Sequence, residues 1–161
     1  MITIRPSILM DADEVWKILE PVIRTGETYT LPRDFTREQA LQYWYSSSHE
    51  VFVAEENNEI LGTYYLRANH QGGGSHVANC GYMTAPHATG RGIASAMCAH
   101  SLERARERGF RAMQFNIVIS TNERAIRLWQ KFGFEIAGRL HEAFLHPQKS
   151  YIDAFVMYRS L

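Results

Sequence analysis

Residues 75–109 constrain the chain most, because strand, turn and helix signals follow one another there without a break. Residues 76–84, HVANCGYMT, are mostly apolar and uncharged, as a central strand covered on both faces requires. Pro86 ends the ladder because it has no N–H to contribute. Gly90-Arg91-Gly92 lets the backbone turn sharply and present its N–H groups without interference from a Cβ. From Ile93 the small and apolar residues recur at helical spacing: Ile93, Ala94, Met97, Cys98, Ser101, Leu102 and Ala105. Gly109 supplies the stop. The next buried segment, residues 111–119 (RAMQFNIVI), must then be reached by a crossover and lie parallel to the first.

A glycine turn running into a helix leaves the first N–H groups of that helix unpaired and pointing one way. With the helix dipole added, the site favours an anion such as a phosphate group. An ordinary strand-to-helix connection has the same spacing, so the turn alone leaves both readings open. Two phosphate motifs are excluded: no Lys-Ser or Lys-Thr follows the glycines, and no G-x-G-x-x-G is present.

The flanking segments read as one domain, residues 1–161. ITIR (2–5) alternates as an edge strand. Asp11 predicts the N-cap of a first helix with the stripe Val15, Ile18, Leu19, Val22 and Ile23, in which Pro21 predicts a kink or a break. Thr36-Arg37-Glu38-Gln39 is a capping-box signature for a second helix through about Ser47. Residues 50–56 and 59–68 predict a hairpin turned at Asn57-Asn58. Gly72-Gly73-Gly74 reads as a flexible connection. Ser120–Glu123 opens a short helix to about Phe132, and residues 134–140 and 151–159 read as closing strands. The order β-α-α-β-β-β-α-β-α-β-β predicts an α/β (α+β) fold, with a mixed sheet of about six or seven strands and about four helices.

Charge narrows the function classes. Lys+Arg and Asp+Glu are both 17, so no net charge draws the chain to nucleic acid. No apolar run approaches the roughly 20 residues that span a bilayer, and the N-terminus lacks the apolar core of a signal peptide. Cys80 and Cys98 lie in apolar segments and read as small core residues of a reducing, cytoplasmic compartment. The seven histidines show no metal-ligand spacing, so no metal is expected.

Thr89-Gly90-Arg91-Gly92-Ile93-Ala94 resembles the [Gln/Arg]-x-x-Gly-x-[Gly/Ala] signature of the GNAT superfamily of acyl-CoA-dependent N-acyltransferases. Thr89 departs from its first position. Asn122-Glu-Arg-Ala125-Ile-Arg-Leu128-Trp129-Gln-Lys-Phe-Gly133-Phe134 resembles that family's second motif, Asn-x-x-Ala-x-x-Leu-Tyr-x-x-x-Gly-Phe. The element order is also that of the GNAT fold. The resemblance implies a sheet splayed between residues 76–84 and 111–119, with acetyl-CoA as co-substrate entering the splay. It implies that N–H groups of Thr89, Gly90, Arg91, Gly92, Ile93 and Ala94 hold the pyrophosphate. Backbone of Met83 and Thr84 would pair with the pantetheine arm, and Asn122 would bond it while also capping a helix. A homodimer is compatible with the family.

Asn79 and Asn116 each stand in a strand otherwise suited to burial. A buried carboxamide without partners costs about 1–3 kcal/mol, so each must be bonded. Structural bonds at the splay are one reading; contacts to the acceptor's carboxylate or amine are the other. Ser75-His76-x-x-Asn79-x-Gly81-Tyr82 with Phe115-Asn116-Ile117-Val118 resembles the GNAT branch that acetylates small amino acids and proline-like imino acids, toxic analogues included. Asn79, Asn116 and His76 are thus the candidate catalytic residues, His76 as base, with Glu27 as a second candidate. Trp129 replaces the family's usual Tyr and cannot act as an acid, leaving Tyr82 or an unassisted thiolate. Acceptance of another small amine, such as a polyamine or aminoglycoside, and a silent acyl-CoA-binding module are the alternatives. Either acetyltransferase reading calls for a small-molecule amine as partner, with neither nucleic acid nor membrane.

Overall fold

The computed structural model describes residues 1–161. Seven strands form one mixed sheet in the order β1-β2-β3-β4-β5-β7-β6. They are β1 (Thr3–Pro6), β2 (Glu50–Glu56), β3 (Glu59–Ala68), β4 (Val77–Thr84), β5 (Ala112–Ile119), β6 (Glu135–His146) and β7 (Ser150–Ser160). The helices are α1 (Ala12–Thr25), α2 (Arg37–Trp44), α3 (Ile93–Glu107) and α4 (Glu123–Lys131). Only β4 and β5 are parallel, the pair that the crossover through α3 requires.

Side-chain alternation divides the sheet into two faces. Gly62 and Tyr64 of β3 and Tyr82 of β4 meet α3, through Ile93, His100 and Ser101 respectively. Thr63 and Tyr65 meet α2, where Trp44 Nε1 donates to Thr63 Oγ1 and Tyr43 shares a hydroxyl bond with Tyr65. Thus α1 and α2 cover one face, while α3 and α4 cover the other. The 2 % or lower exposure of Val15, Ile18, Leu19 and Ile23 confirms the first helix's apolar stripe. Asn57 and Asn58 adopt φ of 53° and 65°, the left-handed pair that a tight hairpin needs.

Several local expectations are corrected. Helix α1 runs unbroken through Pro21, because the single N–H that proline removes would have bonded the carbonyl of solvent-facing Lys17. Asp11 takes the N-cap position of α1, but its side chain makes no capping bond to that helix. Its carboxylate accepts from Ile8 N–H at 2.8 Å and from both terminal nitrogens of Arg5, closing a 3-10 turn ahead of the helix. That Arg5 bond holds the Asp11 carboxyl below its ordinary range. Helix α2 ends at Trp44 rather than Ser47, and Gly72–Gly74 form a 3-10 turn. Strand β6 extends to His146, because solvent-exposed polar residues on an edge strand do not show its length in sequence.

Gly62 is required by packing. A Cβ there would stand 2.7 Å from Ile93 Cγ2 and 2.9 Å from Met97 Cε, both fixed by burial. Gly62→Ala is expected to cost about 1–3 kcal/mol through overpacking. A thermal melt should read this as roughly 2–4 °C lost for each kcal/mol. An unchanged melting temperature would show that α3 can shift without cost.

Candidate active site

The parallel ladder between β4 and β5 contains only Val77↔Ala112 and Ala78↔Met113. Beyond it the strands part. Asn79 stands at the fork, and its Nδ2 donates to the Gln114 carbonyl at 2.9 Å, a side-chain strut where backbone pairing stops. The bonds Asn69 N–H to Val77 O and Ala85 N–H to Leu61 O, both 2.8 Å, set the phase of the β3–β4 ladder. Alternation then turns the backbone groups of Asn79, Gly81 and Met83 towards β3, and those of Tyr82 and Thr84 towards the gap. Thr84 therefore turns its backbone to the gap, whereas Met83 turns its own to β3, and Tyr82 is the neighbouring residue with a gap-facing backbone. One group of that edge is occupied: Tyr29, from the loop between α1 and α2, donates its hydroxyl to the Tyr82 carbonyl at 2.7 Å.

A cavity of about 1080 Å³ fills the gap. At its α3 end Gly90 and Gly92 adopt φ of 87° and 85°. No atom lies within 4 Å of a Cβ built on Gly92, so the approach to the helix start is open. The first intrahelical bond is Ala96 N–H to Gly92 O, which leaves the N–H groups of Ile93, Ala94 and Ser95 facing the cavity end. Arg91 turns away to pair with Glu56. Instead, Arg124 of α4 places Nη2 3.2 Å from the Cβ position of Gly90, adding a cation beside the glycine turn. The sequence carried no signal for Arg124, since its proximity arises from the docking of α4. Asn122 caps α4 through Oδ1, which accepts from Ala125 N–H at 3.3 Å, and it also lines the cavity.

The α1–α2 side of the cavity is polar. Asn79 and Asn116 meet there, with Arg67, Tyr29, Tyr43, Tyr65 and Glu27. Strand β5 carries an irregularity between Phe115 and Val118, so that Asn116 and Ile117 stand against the single residue Val156. Asn116 Nδ2 donates to Asn69 Oδ1 at 2.8 Å, and its Oδ1 accepts from Gln114 Nε2 at 3.0 Å. Asn69 Nδ2 is buried without a partner.

His76 is not brought to this site. It is exposed ahead of β4, its carbonyl accepts from Arg111 N–H, and its ring is no part of the cavity wall. Its sequence distance from Asn79 is short, but a strand advances about 3.3 Å per residue and carries it past the fork. Tyr82 points its hydroxyl to Ser101 Oγ at 2.7 Å, inside the α3 face, where burial raises its pKa well above the ordinary value. It supplies no proton to the gap. Trp129 is buried against Tyr82 and Phe115, with ring centroids 5.0 and 4.9 Å away. It seals the α4 side of the gap.

A parted parallel pair, a free strand edge and a helix start with unpaired N–H groups suit a transferase of the acyl-CoA type. Residues 15–134 match the acetyltransferase (GNAT) family. The chain belongs to that family and is an N-acetyltransferase. It is 28% identical over 151 residues to the N-acetyltransferase aca1 of Schizosaccharomyces pombe, covering 83% of this chain and 72% of that one. A GCN5-related N-acetyltransferase from Kribbella flavida is 35% identical and superposes with a TM-score of 0.95, over 99% of this chain and 98% of that one. A phosphinothricin acetyltransferase from Sinorhizobium meliloti in complex with AcCoA is 21% identical, with a TM-score of 0.86 over 99% and 88% of the two chains. It shares the fold. No helix is long and apolar enough to cross a membrane.

Cys80 is the one thiol in the cavity wall, and burial pushes its pKa up to about 12, as it does for Cys98. A thiol so raised stays protonated near neutral pH and is a poor nucleophile. Native protein at pH 8 should therefore expose no thiol to a disulfide reagent, and two in denaturant. Iodoacetamide should leave activity intact. Rapid inactivation with labelling of Cys80 would instead indicate an acyl-cysteine route.

Proposed function

We propose that this chain is an acetyl-CoA-dependent N-acetyltransferase that acts by direct transfer on a small amino or imino acid, toxic analogues included. The carrying observation is the early end of the β4–β5 ladder, which leaves the Tyr82 N–H and the Thr84 backbone groups open beside a wall of carboxamides. The residues suit acetyl-CoA: the helix start at Gly92–Ser95 and Arg124 would hold its phosphates, and Thr84 and Asn122 its pantetheine arm. The bound thioester supplies the acetyl group.

The residues on the α1–α2 side do the rest. Asn116, fixed by Gln114 and Asn69, has an amide hydrogen left for the acceptor. Glu27 is the one carboxylate in the cavity wall, which supports it as the group that accepts the proton of the amine, directly or through water. A free N–H of the β4 edge stabilises charge developing on the carbonyl oxygen, a contribution typically worth about 3–4 kcal/mol of barrier. With Trp129 in the family's Tyr position and the Tyr82 hydroxyl turned to Ser101, the thiolate would leave without a side-chain acid. A thiol of pKa near ~8.5 leaves without one. A single wall carboxylate also argues against polyamine or aminoglycoside acceptors, whose several cations need several acids.

Thiol release from acetyl-CoA, measured against amino acids, proline analogues, polyamines and an aminoglycoside, tests the reading. Turnover is expected with small amino or imino acids. Gly92→Asp, which puts a carboxylate at the helix start, should raise the KM for acetyl-CoA by roughly tenfold or more, about 1.4 kcal/mol. Asn116→Ala should raise only the acceptor's KM. Turnover confined to polyamines would keep the enzyme class and overturn the acceptor.

A further inference from the structure

We propose that Arg67 recognises the carboxylate of the acceptor, and that Asn79 is the residue that positions Arg67. This rests on the amino-acid reading above and names the group that selects such acceptors. Arg67 lies opposite Asn79 in the β3–β4 register, on the α1–α2 face and in the cavity wall. Its Nε donates to Asn79 Oδ1 at 3.2 Å, while Asn79 Nδ2 is held by the Gln114 carbonyl at 2.9 Å. Both ends of the Asn79 carboxamide are thereby engaged with the protein. Its oxygen is committed to Arg67, which fixes the plane of the guanidinium.

The two terminal nitrogens of Arg67 remain. Five arginines are half-buried: Arg5, Arg37, Arg67, Arg104 and Arg159. The others give a terminal nitrogen to Asp11, Asp13, Glu50 and the Phe132 carbonyl respectively. Arg67 alone gives none, and it takes part in no ion pair.

Other charges around it do not complete the site. Glu27 shares the cavity but stands beyond ion-pair distance. His49, stacked on Tyr65 with centroids 4.0 Å apart, is driven towards its neutral form first by burial and further by the charge of Arg67. The α1–α2 side of the cavity thus holds an arginine with no partner, fixed at Nε, with a planar fork free. Such a fork matches a carboxylate by two parallel hydrogen bonds. It repels a polycation.

The test compares a free amino acid with its own primary amide, which keeps the amine and removes the negative charge. Wild-type enzyme should favour the free acid in kcat/KM by roughly 10- to 100-fold, the range of charge-assisted hydrogen bonds. Arg67→Ala should remove that preference by raising the acid's KM. Turnover of the amide and the KM for acetyl-CoA should stay within about twofold. Arg67→Lys, which keeps the charge and loses the fork, should fall between. Asn79→Ala should raise the acid's KM by less, and Arg67→Ala/Asn79→Ala should be no worse than Arg67→Ala. A wild-type enzyme that uses acid and amide equally, or an Arg67→Ala enzyme that keeps its preference, overturns the assignment. Turnover of neither acid nor amide overturns the amino-acid reading itself, and this assignment with it.

Discussion

The site depends on the place where β4 and β5 cease to be one ladder. Two residue pairs hold them, and then a side chain takes over from the backbone, with Asn79 Nδ2 on the Gln114 carbonyl. A sheet that parts in its interior leaves N–H and C=O groups needing partners, and buried groups of that kind are costly. The structure meets this in three ways. Tyr29 satisfies one carbonyl, Asn79 another, and the remaining edge faces a cavity that a ligand or water can enter. Aromatic rings from β4, β5 and α4 close the opposite side, so the opening is a cleft with one floor.

Much of the frame was legible because periodicity and turn chemistry are local. The strand, glycine turn and helix of residues 77–107 fell where apolar spacing put them. The crossover rule then fixed the parallel pair. The errors came where tertiary contacts decide. Asp11 stands at the N-cap position its type suggests, but Arg5, six residues away, draws its side chain into a different bond. Pro21 read as a break, yet it sits where the lost hydrogen bond lies on the solvent side.

The site divides in the same way. Glycines at 90 and 92 and the carboxamides at 79 and 116 are visible because their types are unusual for their elements. Arg67 and Arg124 are not. An arginine near a strand end or in the first turn of a helix is ordinary in sequence, and only the register or the docking of α4 reveals what faces it. His76 failed for the converse reason. It resembled a base by type and proximity along the chain, while the strand carries its ring away from the cavity. Position along the strand relative to the fork therefore decides membership of this site.

The Tyr29 hydroxyl bond to the Tyr82 carbonyl has a kinetic consequence. It anchors the segment between α1 and α2 to the strand that edges the cavity. Ordering a free loop costs about 1–2 kcal/mol per residue in lost backbone freedom. Here that cost is met once, during folding, and does not recur with each substrate. The α1–α2 wall of the cavity is thereby already in place in the folded chain.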